Sequence, residues 1–172
     1  DESKCVNGIN VNAICIDRKS ERKCYENEDL TLTEDYDELL DIVDAVFIIS
    51  HPSKHYDHIK KALNHGKHVL CESPITLSES EYLEVEKLAK DNNLILMDSI
   101  KTAYSTAYNR LLLLIKGGHI GDVYSVDATC TSLRDYDDNS WNSITSWGPT
   151  ALLPILQILG TDYSNKTITS LI

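Results

Sequence analysis

His51, His55 and His58 are separated by four and three residues. That spacing sets side chains on one face of a helix and could hold a metal ion. Pro52 interrupts the helical geometry for His51, and neither a cysteine nor an acidic cluster completes a ligand set, since Asp57 points elsewhere. The simpler reading is that His55 opens a helix while His58 and His65 lie at the surface. Cys71 is a second reactive candidate, as a nucleophile. No base adjoins it, so a packed, protonated thiol is the expected state. Trp141 and Trp147 could stack on a ligand, although isolated aromatics more often serve a core or an interface.

The elements that must position these groups follow from hydrophobic periodicity. Residues 11–16 and 30–33 read as short strands, with a helix-compatible stretch from 18 to 25 between them. Residues 36–42 place Tyr36, Leu39 and Leu40 on one helical face. The run 45–49 is apolar without alternation, as a strand covered on both faces of a parallel sheet should be. Residues 55–65 predict a helix with Ile59, Ala62 and Leu63 inward and Gly66 as its stop. Residues 68–71 form the next strand. Ser78 and Glu81 predict a capping box ahead of a helix over 79–92 with Tyr82, Val85, Leu88 and Ala89 as its apolar stripe. Residues 94–97 are a further strand. Strands alternating with helices of this length predict an open parallel α/β sheet.

After about residue 100 the pattern changes. A helix is expected over 108–116, closed by Gly117 and Gly118, then an alternating strand over 123–131, and an apolar helix over 151–159 ended by Gly160. The boundary falls between Ser99 and Tyr108, giving domains 1–100 and 101–172, the second of α+β character.

Composition narrows the function classes. The 172 residues carry 16 Lys plus Arg against 27 Asp plus Glu, a net charge of -11 that disfavours binding to nucleic acid or to an anionic membrane surface. The longest apolar runs, 45–49 and 111–115, fall far short of the roughly 20 residues of a bilayer span. The 5 cysteines are odd in number and contain no Cys-x-x-Cys pair, which predicts reduced thiols and a cytoplasmic protein.

Four features carry a resemblance to a known family: Pro52 and His55 after a strand, the run Gly66-Lys67-His68-Val69-Leu70-Cys71-Glu72, Pro74, and Ile120-Gly121-Asp122-Val123. Together they resemble the glucose-fructose oxidoreductase, inositol dehydrogenase and MocA family from about residue 11 to 160. The resemblance implies a Rossmann-like domain binding NAD or NADP, followed by a domain that frames a sugar or polyol and forms a homo-oligomer contact. It implies hydride transfer at a hydroxyl carbon, with the lysine of a Glu-Lys-Pro motif assisting proton transfer. On that basis Ser50, Pro52, His55, Glu72, Ser73 and Pro74 line the cofactor cleft. Asp17, at the end of a strand, would accept from the adenosine ribose, with Arg18 able to meet a 2'-phosphate.

Three departures stand out. No Gly-x-Gly-x-x-Gly loop occurs in the chain, which suggests the central portion of a longer protein, without the family's first strand and with two strand edges left for other chain or a partner to cover. Ser73 replaces the lysine, and a serine cannot act as an ammonium. The run Lys101-Thr102-Ala103-Tyr104 resembles that of a family branch with Glu-Ser-Pro, so Lys101 with Tyr104 is expected to take over the polar work. The family's Asp and His on the later helix have no counterpart in residues 148–154. The alternative is a non-catalytic descendant serving as a ligand-binding or assembly module.

Overall fold

The computed structural model describes residues 6–16, 25, 30–130, 143–162, 164, 165, 167 and 169, except for the side chains of 143–146. The chain divides into two compact units, Asp1–Asp98 and Ser99–Ile172. In the first, β1 (Ala13–Cys15) pairs in parallel with β2 (Thr31–Thr33). Helix α1 (Tyr36–Ile42) follows, its first turn fixed by the Asp35 carboxylate, which accepts from the Asp37 N–H at 2.8 Å. A second parallel sheet holds β3 (Ala45–Ile48), β4 (His68–Cys71) and β5 (Leu96–Asp98) in that order. Helix α2 (His55–Asn64) joins β3 to β4, and α3 (Glu79–Asp91) joins β4 to β5. These are the crossovers expected of a parallel α/β sheet.

The core lies on one face of this sheet. Val46 and Ile48, Val69 and Cys71 alternate inward and meet Leu39 and Leu40 of α1, Ile59, Ala62 and Leu63 of α2, and Val85 and Ala89 of α3. On the other face Phe47 pairs with Leu70, and Leu70 with Met97. Phe47 is 54% exposed and Ile49 70%. This corrects the expectation of a strand covered on both faces: an apolar run without alternation does not reveal that α1, α2 and α3 all lie on one side.

Two chain reversals set where β4 and β5 begin. Gly66 takes φ 72, with its N–H donating to Leu63 O at 3.0 Å and the Lys67 N–H to Ala62 O at 3.0 Å. Asn93 takes φ 55, with its N–H donating to Lys90 O at 3.1 Å and the Leu94 N–H to Ala89 O at 2.8 Å. Both are αL helix ends of the Schellman type, which glycine and asparagine adopt at least cost. The second reversal uses Leu94, so β5 spans Leu96–Asp98 rather than 94–97. The predicted capping box is absent as well: Ser78 Oγ pairs with Ser80 Oγ at 2.7 Å and makes no bond to the helix N–H groups.

In the second unit, α4 (Lys101–Tyr104), α5 (Thr106–Lys116) and α6 (Ser143–Leu159) pack together, and the Tyr108 hydroxyl donates to Gln157 Oε1 at 2.7 Å. Helix α6 begins before the predicted start, running through Pro149 and Pro154. Residues 121–130 form no ladder, and Tyr124 is 92% exposed. The strand predicted for 123–131 is therefore corrected for its described part. Alternation supplies a face but not the partner strand that its backbone groups need. The helix-compatible stretch 18–25 lies outside the described residues except for Tyr25.

Ile59 is fully buried where α2 meets the sheet. Ile59→Ala is expected to lower stability by about 2–5 kcal/mol, read from the urea midpoint, while the exposed Asp57→Ala changes it by less than about 0.5 kcal/mol. Equal effects from the two would contradict this core.

Candidate functional site

The three strands of the larger sheet end flush. Ile48 pairs with Cys71, and Cys71 pairs with Asp98, so the last residues of β3, β4 and β5 form one row. The loop after β3 carries Ser50, His51 and Pro52, and enters a 3-10 turn, Pro52–Lys54, that leads into α2. The loop after β4 carries Glu72, Ser73 and Pro74, with a cis Ser73-Pro74 peptide. Its start is tied to β3, because the Glu72 N–H donates to Ile48 O at 2.9 Å.

His55, the first residue of α2, joins the two loops. Its ring is fully buried, with Nδ1 2.8 Å from Pro74 O and Nε2 2.8 Å from Ser50 O. The Ser50 hydroxyl meets His58 Nδ1 at 3.0 Å. Tyr36 packs on the His58 ring at 5.1 Å between centroids, and its hydroxyl donates to His58 O at 3.2 Å. His58, expected at the surface, is thus half-buried in the support of this edge. His51 stays exposed and caps the 3-10 turn on its own loop, its Nδ1 2.8 Å from Ser53 Oγ. Among the described residues no three His, Cys, Asp or Glu side chains converge as metal ligands.

Asp98 was not singled out in the sequence. It shares the row of Ile48 and Cys71, so its side chain projects to the face those residues bury. Burial pushes its carboxyl above the usual range; the Ser73 hydroxyl, His55 and the Ile75 N–H pull it back, while Glu72 pushes it further up. Ser73 Oγ is itself buried without a hydrogen bond of good geometry. The signal that could have found Asp98 is an acidic residue ending the third strand of a parallel set, where ligands of such sheets collect.

The structure thus brings Ser50, Pro52, His55, Glu72, Ser73 and Pro74 to one edge, with Asp98 added. Lys101 and Tyr104 belong to the second unit, at the first and last positions of the single turn α4. Asp17 and Arg18 lie outside the described residues, directly after Ile16, whose N–H donates to Thr33 O at 2.9 Å. Trp147 has its indole N–H buried, and Trp141 is outside the described residues.

An open parallel sheet with a polar rim at the carboxyl ends of its strands defines a nucleotide-binding α/β domain of the Rossmann class. The model of the Gfo/Idh/MocA group, an oxidoreductase family with an NAD-binding Rossmann fold, matches residues 5–99, and the chain belongs to that family. It is 34% identical over 125 residues to a dTDP-3,4-didehydro-2,6-dideoxy-alpha-D-glucose 3-reductase of Streptomyces violaceoruber, covering 71% of this chain and 36% of that protein. It is 38% identical over 71 residues to the scyllo-inositol 2-dehydrogenase (NADP(+)) of Bacillus subtilis strain 168, covering 41% and 22%. Among solved structures it resembles apo scyllo-inositol dehydrogenase from Lactobacillus casei, with a TM-score of 0.64 and 26% identity over 70% of this chain and 37% of that one. The chain therefore spans well under half the length of these relatives. Among the described residues no helix is long and apolar enough to cross a membrane.

Burial, with the nearby Asp98 and Glu72 carboxylates, pushes the Cys71 thiol from an ordinary 9.0 up to about 12. A raised acid stays protonated, so native Cys71 should resist iodoacetamide at pH 8 and be alkylated once urea unfolds the chain, as mass spectrometry would show. The linkage has a definite sign: the folded thiol holds its proton longer than the unfolded one, so its contribution to stability is complete below about pH 9 and falls as pH rises from there toward 12. Rapid labelling of native Cys71 at pH 8 would contradict this environment.

Proposed function

We propose that the protein is an NAD(P)-dependent oxidoreductase that interconverts a hydroxyl and a carbonyl on a sugar or polyol. The observation that carries the reading is the flush carboxyl edge of β3, β4 and β5, where Ser50, Pro52, Glu72, Ser73 and Pro74 converge in a chain of this family. Relatives named as a deoxysugar reductase and an inositol dehydrogenase support the substrate class. The comparisons lend nothing to the non-catalytic alternative.

The residues present fit a dinucleotide. The buried Ser73 hydroxyl is left without a well-formed bond at the rim, and Glu72 stands beside it as an acceptor for ribose hydroxyls. In this reading Asp17 accepts from the adenosine ribose and Arg18 faces a 2'-phosphate when the nucleotide is NADP. The nicotinamide supplies hydride acceptance or donation. Lys101 and Tyr104 then hold and move the proton of the reacting hydroxyl, the role that Ser73 cannot fill. Residues 101–172 begin the domain that frames the substrate and forms the homo-oligomer contact.

Titrating the whole protein with NADH and NADPH should give saturable fluorescence changes, weakened about tenfold or more by Asp17→Ala, since a bidentate charged contact is worth roughly 1.5–3 kcal/mol. No saturation at millimolar nucleotide would overturn the proposal. With a sugar or polyol substrate, Lys101→Ala should lower kcat by roughly 10²–10⁴-fold, the usual worth of general acid-base catalysis, and Ser73→Ala by less than about tenfold. Equal, small losses would remove Lys101 from the proton-transfer role.

A further inference from the structure

Helix α2 presents two histidines to one residue of the loop after β3. His55 and His58 stand three positions apart, on one face of the helix. The first has Nε2 2.8 Å from the Ser50 carbonyl oxygen, and the second has Nδ1 3.0 Å from the Ser50 hydroxyl. Backbone and side chain of Ser50 are thus both engaged by the same helix. A hydroxyl can donate or accept, so the contact with His58 forms with either ring tautomer.

The His58 ring is itself fixed from α1. Tyr36 packs on it with centroids 5.1 Å apart and planes tilted by 42°, and the Tyr36 hydroxyl donates to His58 O at 3.2 Å. Tyr36 is the first residue of α1, directly after the Asp35 cap. The Lys61 ammonium lies 5.8 Å from the Tyr36 ring centroid while donating to Asp37 at 2.7 Å, which ties the start of α1 to α2. One end of α1 therefore holds the ring, and the ring holds the serine.

We propose that His58 is a positioning residue for nucleotide binding: backed by Tyr36, it locks the Ser50 hydroxyl in one rotamer at the carboxyl edge, where Ser50 meets a ribose hydroxyl of the dinucleotide. The role rests on the reading of that edge as the nucleotide site. Ser50 Oγ has one proton and two lone pairs, and the contact with Nδ1 takes up one of the three. At least one lone pair remains in every case, which suits a group that donates. A ribose hydroxyl donates; a phosphate oxygen does not. Ser50 is half-buried rather than sealed in the core. A side chain already held in its binding rotamer loses less entropy on association than a free one.

The test is a double-mutant cycle on nucleotide affinity, read by NADPH fluorescence titration of the full-length protein, with urea midpoints confirming that each variant folds. His58→Phe keeps a ring against Tyr36 and loses Nδ1; it should raise Kd about three- to tenfold, the usual worth of one hydrogen bond. His58→Asn, whose amide reaches the position of Nδ1, should restore most of that affinity. Ser50→Ala should raise Kd by a similar factor, and His58→Phe added to Ser50→Ala should raise it no further. Should His58→Phe fail to fold, Tyr36→Phe, which removes the bond to His58 O, takes its place in the cycle with the same non-additivity expected. Equal losses with and without the Ser50 hydroxyl, or a Kd as high in His58→Asn as in His58→Phe, would overturn the positioning role while NADPH still binds. No saturation of the unaltered protein would instead overturn the nucleotide site itself, and this role with it.

Discussion

Everything at the candidate site depends on the parallel register of β3, β4 and β5. Because Val46 pairs with Val69 and Ile48 with Cys71, one row of apolar side chains after another faces the helices. Burying each such side chain stabilises by roughly 1.5–3 kcal/mol. A slip of one residue would turn this set to the other face. The same register makes the strands end together, and the last paired row contains Asp98. A carboxylate thereby occupies a position that the sheet treats as interior. Its raised pKa and the raised pKa of Cys71 beside it are two consequences of one geometric fact.

The polar edge is built from the outcome of that packing. Helix α2 is held by Ile59, Ala62 and Leu63, and this fixes its first residue, His55, beneath the two loops. Its two ring nitrogens then lie 2.8 Å from the Pro74 and Ser50 carbonyl oxygens and tie the two loops together. Farther out, the Lys60 ammonium donates to Glu84 at 2.6 Å and the Tyr56 hydroxyl donates to Glu84 at 2.8 Å, joining α2 to α3 across solvent. Such exposed pairs contribute little to stability. The buried apolar row and the buried ring carry the arrangement.

Much of this was legible in the sequence, because local signals and tertiary packing agree there. The bounds of α1 and β4 match the periodicity, and Gly66 marks the end of α2 at the backbone angle that favours glycine. What was not legible depends on partners distant in the chain. Asn93 rather than a glycine closes α3 and moves β5 past Leu94, which brings Asp98 into the strand. Ser78 found a neighbouring hydroxyl in place of a helix N–H. Alternation over 123–131 could not supply a partner strand. His55 and His58 read as surface or cleft groups because a histidine's burial is set by the carbonyls and rings that surround it. The resemblance of residues such as Glu72, Ser73 and Pro74 marked the edge, but it did not reveal the carboxylate at its centre.

The carboxyl ends of β3, β4 and β5 are where we propose that a nicotinamide nucleotide lies. A crystal structure of the protein with NADPH tests this most directly. The nucleotide should lie across the loops of Ser50 to Pro52 and Glu72 to Pro74, in reach of Ser73. A nucleotide seated at the amino ends of the strands, or on the open face formed by Phe47 and Met97, would contradict it.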